Sequence, residues 1–112
     1  MSLVVAYGSE LIRYNPSKNA IEVSKSRGMT WFKRRDCSGM GNVRALTEHK
    51  GKLLLCSSEG VYCSEDKGFF WRKLAHEKDF VDLRSMGSEV LAITSAGKTY
   101  LSRDGFTWFR RG

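Results

Sequence analysis

The chain lacks the marks of a helical or membrane-spanning protein. Its apolar residues never recur at the three-and-four spacing of an amphipathic helix; they come in short runs or alternate. No stretch approaches the roughly 20 apolar residues that cross a bilayer, so no membrane partner is expected. Residues 1–8 lack a basic start, and their apolar run is too short for a signal peptide. A cytoplasmic protein is the expectation, with carriage in a viral or phage particle as the alternative. One proline in 112 residues, beside eleven glycines, excludes collagen-like and proline-rich extended chains. Three cysteines, Cys37, Cys56 and Cys63, are an odd count, which argues against a disulfide framework. No phosphate-cradling loop, nucleophile elbow or paired-carboxylate motif is present, so no catalytic residue and no cofactor is expected. His49 lies near two of the cysteines in sequence, but no CxxC or HxxxH spacing accompanies it, and no metal is expected.

What is present is β-structure. Runs of five to seven residues rich in β-branched and aromatic side chains, punctuated by turn signals, predict strands at 3–8, 11–15, 20–26 and 29–35. A second set falls at 43–49, 52–58, 61–65 and 70–75, and a third at 80–86, 89–95, 98–103 and 107–111. Leu53-Leu54-Leu55-Cys56 and Val90-Leu91-Ala92-Ile93 are continuous apolar runs, as in strands buried on both faces. Residues 58–61 and 95–98 read as tight hairpins, and 15–19 as a longer turn in the equivalent place. If Glu59-Gly60 is a two-residue hairpin turn, Cys56 and Cys63 lie opposite each other; a reduced buried pair is expected, a disulfide the alternative. The boundaries between sets fall in two polar loops, dividing one domain into units of about 1–36, 37–75 and 76–112.

One signature recurs in each set: Ser24-x-Ser-x-Gly28-x-Thr-Trp31, Ser64-x-Asp66-x-Gly68-x-Phe-Trp71 and Ser102-x-Asp104-Gly105-x-Thr-Trp108. The tryptophans at 31, 71 and 108 are spaced by 40 and then 37 residues, a period that marks an array of supersecondary units. Each position has a mechanical reason. Gly28, Gly68 and Gly105 allow the positive φ of a tight reversal. Asp66, Asp104 and the three serines can accept hydrogen bonds from turn amides. The tryptophan then returns to the unit as core.

These segments resemble Asp-box, or BNR, repeats, which occur in β-propellers such as sialidases, sortilin-type receptors and photosystem assembly factors. The resemblance covers nearly the whole chain. It implies an all-β fold of four-stranded antiparallel blades, with the boxes as structural turns on the face away from the ligand. The departures are Ser26 for aspartate, Phe70 for threonine, and a third copy one residue shorter; a looser first turn is expected.

Three blades cannot close a ring, because closed propellers usually have four to eight. Two apolar faces would remain bare, each larger than the few hundred Å² a soluble monomer tolerates. A homodimer closing a six-bladed ring is the expectation; an open stack and a piece of a longer chain are the alternatives. The ligand, a glycan or a protein, would meet the face opposite the boxes, at Asp36, Ser38, Met40, Asn42, Arg44, His76, Glu77 and Asp79. A sialidase-like enzyme would need an arginine cluster, a nucleophilic tyrosine and an acid/base carboxylate. Arg44, Arg84 and Tyr7 are the nearest residues, and no run marks the full set. A net charge of +7 and basic residues after each tryptophan (Lys33-Arg34-Arg35, Arg72-Lys73, Arg110-Arg111) keep open a polyanion or nucleic-acid partner. The competing reading is protection of exposed strand edges.

Overall fold

The computed structural model describes residues 3–112; Met1 and Ser2, part of the segment judged for a leader, lie outside the described residues. Twelve strands form three four-stranded antiparallel sheets, each in simple sequential order, and no helix occurs among the described residues. The first sheet holds β1 (Val4–Tyr7), β2 (Glu10–Asn15), β3 (Ala20–Ser24) and β4 (Phe32–Asp36). The second holds β5 (Val43–His49), β6 (Lys52–Ser57), β7 (Gly60–Ser64) and β8 (Arg72–Ala75). The third holds β9 (Phe80–Ser85), β10 (Val90–Thr94), β11 (Thr99–Ser102) and β12 (Phe109–Arg110). The last strand of each sheet starts two or three residues later than its sequence pattern predicts. The residues between glycine and tryptophan are taken into the signature turn instead.

Strand alternation builds two cores. Leu53 and Leu55 point to the first sheet and pack with Ile12, Tyr14, Ile21, Val23 and Trp71. Leu54 and Cys56 point the other way and pack with Phe80, Leu83, Val90 and Ala92 of the third. The continuous apolar run of β6 is therefore a strand buried on both faces. Fully burying each aliphatic side chain stabilises the stack by about 1.5–3 kcal/mol.

The two outer faces of the stack differ. On the first sheet, the positions out of phase with Ile12 and Ile21 carry Arg13 and Glu22, directly opposed and 2.8 Å apart, with Arg13 over the ring of Trp31. The bare apolar face expected there is instead a hydrogen-bonded ion pair under an aromatic lid. On the third sheet, the positions out of phase with Val90 and Ala92 carry Leu91, Ile93, Leu101 and Phe109, and Phe109 is 62% exposed.

The β6–β7 hairpin turns one residue earlier than expected, which shifts its strand register by two. Ser57 pairs with Gly60, so the two-residue loop is Ser58-Glu59 and Cys56 faces Val61, not Cys63. The physical reason is Gly60. A side chain there would collide with the carbonyl of Ala75, so the glycine belongs in the strand, against β8. All three cysteines are buried free thiols, which removes the disulfide alternative.

Candidate functional site

The three signature turns close by one scheme. In the second, the Ser64 hydroxyl accepts from the amide of Gly68 at 2.9 Å and donates to Asp66 at 2.8 Å. Asp66 accepts from the amide of Phe70 at 2.8 Å, and the Trp71 indole donates to the carbonyl of Gly68 at 2.8 Å. The third turn repeats this with Ser102, Asp104 and Trp108; being a residue shorter, it lets Asp104 accept from both Phe106 and Thr107. Backbone donors hold both carboxyls below the usual aspartate range, chiefly Phe70 for Asp66 and Thr107 for Asp104.

The first turn is not loose. Ser24 accepts from Gly28 at 2.8 Å, Trp31 donates to Gly28 at 3.0 Å, and Ser26 accepts from the amide of Thr30 at 2.9 Å. The Ser26 hydroxyl reaches the same amide as the carboxylates do, so the closure survives the substitution. The signature serine, the aspartate or Ser26, and the indole of each turn are thus engaged within the turn itself.

Antiparallel order places the signature turns and the β1–β2, β5–β6 and β9–β10 hairpins at one end of the sheets, and the β2–β3, β6–β7 and β10–β11 hairpins with the inter-sheet loops at the other. At that other end, Asp36 caps its own loop, accepting from the amide and hydroxyl of Ser38 at 3.2 and 2.8 Å. The amide of Asn42 donates to Ser58 at 2.9 Å, tying the first loop to the β6–β7 hairpin. Arg44 donates to the carbonyls of Lys78 and Phe80 at 2.6 and 3.3 Å and so clamps the second loop. Met40 is not available to a ligand: it is 7% exposed and belongs to the core between the first two sheets. His76 and Glu77 line a shallow recess with Leu74 and Phe106, and Asp79 is exposed.

The innermost strands are β1, β5 and β9, which neighbour one another across the stack. Along them runs an open groove of about 390 Å³ lined by Val5, Thr47, Asp82, Arg84 and Ser85, among others. Arg84 pairs with Asp82 at 3.1 Å, and Ser85 meets Nδ1 of buried His49 at 2.7 Å. Burial pushes the His49 imidazole below its ordinary value. Sequence reasoning singled out Arg84 here but passed over Thr47, Asp82 and Ser85. The available signal was polar residues at alternate positions of first strands. Tyr7 donates its hydroxyl to the carbonyl of Gly51, at the signature-turn end. Among the described residues no three His, Cys, Asp or Glu side chains gather as a metal would require.

The basic segments after the tryptophans do not form one uniform rim. Arg34 is withdrawn: its side chain is 6% exposed and bonds both oxygens of Glu10 at 3.0 and 3.3 Å. Arg72 pairs with Glu65 at 3.3 Å. Lys33 and Arg110 are exposed edge residues, as is Lys73.

No protein-family model matches the chain, and no curated protein matches it. Solved structures do match in fold. The chain is similar to the N-terminal domain of Nup159, with a TM-score of 0.69 at 10% identity, over 100% of this chain and 34% of that one. It is also similar to a GH74 enzyme of Niastella koreensis, with a TM-score of 0.62 at 15% identity, over 96% of this chain and 18% of that one. The chain therefore spans about a third and about a fifth of those two proteins. At these identities the likeness concerns fold: an all-β, propeller-like stack of three four-stranded blades.

Proposed function

We propose that the chain is a non-catalytic β-propeller binding or assembly module whose three signature turns are Asp-boxes, and that two copies close a six-bladed ring. The ligand, a glycan or a protein, meets the loop end and the groove on the innermost strands. The observation that carries this reading is a contrast between the signature turns and the innermost strands. The serines and carboxylates of the turns close on the turns' own amides, whereas the innermost strands leave an open groove lined by Thr47, Asp82, Arg84 and Ser85. In a ring of two copies that groove would occur twice around the axis, as the wall of a central channel. Absence of catalysis is supported by the separation of residues a sialidase-like site would draw on: Arg44 is held by backbone carbonyls at the loop end of β5, and Tyr7 by Gly51 at the signature-turn end.

The test is a glycan array, read at 50 and 200 mM salt, with the wild type and with Asp82→Ala and Arg84→Ala. Salt-insensitive binding of a glycan, lost in either variant, supports the reading. A second reading, polyanion binding at the outer edge, draws on the exposed Lys33, Lys73 and Arg110. It would be favoured by heparin or duplex DNA binding with a steep salt slope. Turnover of an aryl sialoside would overturn the absence of catalysis.

A further inference from the structure

The joint between the first and second sheets is built around a signature turn. The second turn leans onto the first sheet. There Arg34 donates to the carbonyl of Lys67 at 3.0 Å, and its guanidinium lies 4.4 Å from the ring centroid of Phe69. Gly68 approaches Ile21 and the Arg34 stem so closely that an added Cβ would touch both. Two features aim Arg34 at this turn. It is the extra residue of a bulge opposite Ile21 and Glu22, and Glu10 grips it from β2 while also pairing with Lys25 at 3.8 Å. The receiver for an incoming turn is therefore Glu10, Lys25, Phe32 and Arg34 around Val23.

Strand register identifies the equivalent residues of the other sheets. The signature serines Ser24, Ser64 and Ser102 pair with Leu11, Leu53 and Val90, and Val23, Cys63 and Leu101 pair with Phe32, Arg72 and Phe109. On the third sheet the receiver positions are thus Glu89, Arg103, Phe109 and Arg111 around Leu101. Acid, base, phenylalanine and arginine recur in the same order. Arg103 approaches Glu89 at 4.0 Å, as Lys25 approaches Glu10. Arg111 and Gly112 bond to Thr99 so that Arg111 is the extra residue, as Arg34 is. All five side chains line one recess of about 480 Å³ on the outer face. The second sheet has no such copy: Lys52, Glu65, Arg72 and Leu74 stand at these positions, and the shorter third turn packs Gly105 on Leu74.

A turn of matching shape is also free. The first turn is the same length as the second, with Arg27 and Gly28 at φ 59° and 93° against 69° and 96° for Lys67 and Gly68. Met29, equivalent to Phe69, is 86% exposed, and Gly28 touches only Leu11 and Trp31 of its own sheet.

We propose that the first signature turn of one copy docks in the recess around Leu101 on the third sheet of a second copy, with Met29 on Leu101 and Phe109 and Arg111 reaching the carbonyl of Arg27. The proposal rests on the two-copy ring and names its joint. It adds an argument independent of apolar area: a receiver and a turn that match inside the chain recur, unmatched, at its two outer faces. A head-to-tail contact of this kind is made twice in a closed pair.

Sedimentation equilibrium tests it, with circular dichroism as the check on folding. Met29 is a surface residue, so Met29→Glu should leave the fold intact. Placing a charge in each of two apolar contacts, with about a tenfold loss apiece, should weaken dimerisation by about 100-fold. Leu101→Lys alone should do the same, and combining it with Met29→Glu in one chain should restore the dimer through opposite charges. A dimer unchanged by both single variants would place the joint elsewhere and overturn the proposal while leaving the ring reading intact. A wild type that is monomeric would overturn both.

Discussion

Replacing the three tryptophans one at a time should reveal a graded stack, not three equal repeats. Trp71 lies between the first two sheets at 6% exposure, with its indole bonded to Gly68. An indole that buries about 150–250 Å² contributes roughly 4–6 kcal/mol gross at about 25 cal/mol per Å². Trp71→Ala should cost about 3–5 kcal/mol, the range for losing a large core aromatic. Trp108 is half-buried, edge-on to Phe80 at 4.9 Å, and should cost about half as much. Trp31 is half-exposed and holds Arg13 at 4.0 Å from its ring centroid, a contact worth about 0.5–1 kcal/mol. The assay is urea unfolding followed by circular dichroism in a Met29→Glu background, which keeps the outer face of the first sheet, and Trp31 with it, uncovered by a second copy. With a slope near 2 kcal/mol per molar urea, Trp71→Ala should lower the midpoint by about 2 M. Equal losses at all three positions, or the largest loss at Trp31, would refute the idea that the middle blade carries both cores.

Other outcomes follow from the same geometry. Asp104→Ala should destabilise by about 1–3 kcal/mol through the unpaired amides of Phe106 and Thr107 while leaving ligand binding intact; lost binding at unchanged stability would place the turn in the ligand site. Asp66→Ser should be milder than Asp66→Ala, because Ser26 already closes the first turn with a hydroxyl; equal urea midpoints for the two variants would contradict this. The folded-state values of Asp66 and Asp104 lie below the unfolded aspartate value of about 3.9, so their contribution is complete above that pH and lost as pH falls through the folded values. Acid melts should therefore steepen below about pH 4, and less so in an Asp66→Ser, Asp104→Ser double variant. Burial pushes the thiols of Cys37 to about 11 and Cys56 to about 12, and raises Cys63 as well. A colorimetric disulfide reagent at pH 8 should find no fast-reacting thiol until denaturant is added.

The repeat, the strand count and the two-faced burial of β6 were legible because each rests on local pattern: period, alternation and turn residues. Details that depend on contacts distant in sequence were not. Nothing local distinguishes a turn glycine from one kept bare by the carbonyl of Ala75, so the β6–β7 turn came out one residue off and the strand register two. Met40 reads as a polar-loop residue until the loop folds back under the first two sheets. Arg34 reads as one of three basic edge residues; only the bulge opposite β3 turns it inward to Glu10 and Phe69. The polar groove of Thr47, Asp82 and Ser85 draws on two first strands, β5 and β9, with the whole of β6, β7 and β8 between them in sequence, and only stacking brings them together.

Closure of one ring by two copies is tested by small-angle X-ray scattering in a dilution series. One chain has a mass of 12.7 kDa and a radius of gyration of 13.1 Å, close to the value of about 13 Å that chain length alone implies. A closed pair should give a particle of about 25 kDa with a radius of gyration of about 17 Å, constant across micromolar concentrations. A folded species of 12.7 kDa near 13 Å would contradict it, as would a radius that grows with concentration as open head-to-tail chains lengthen.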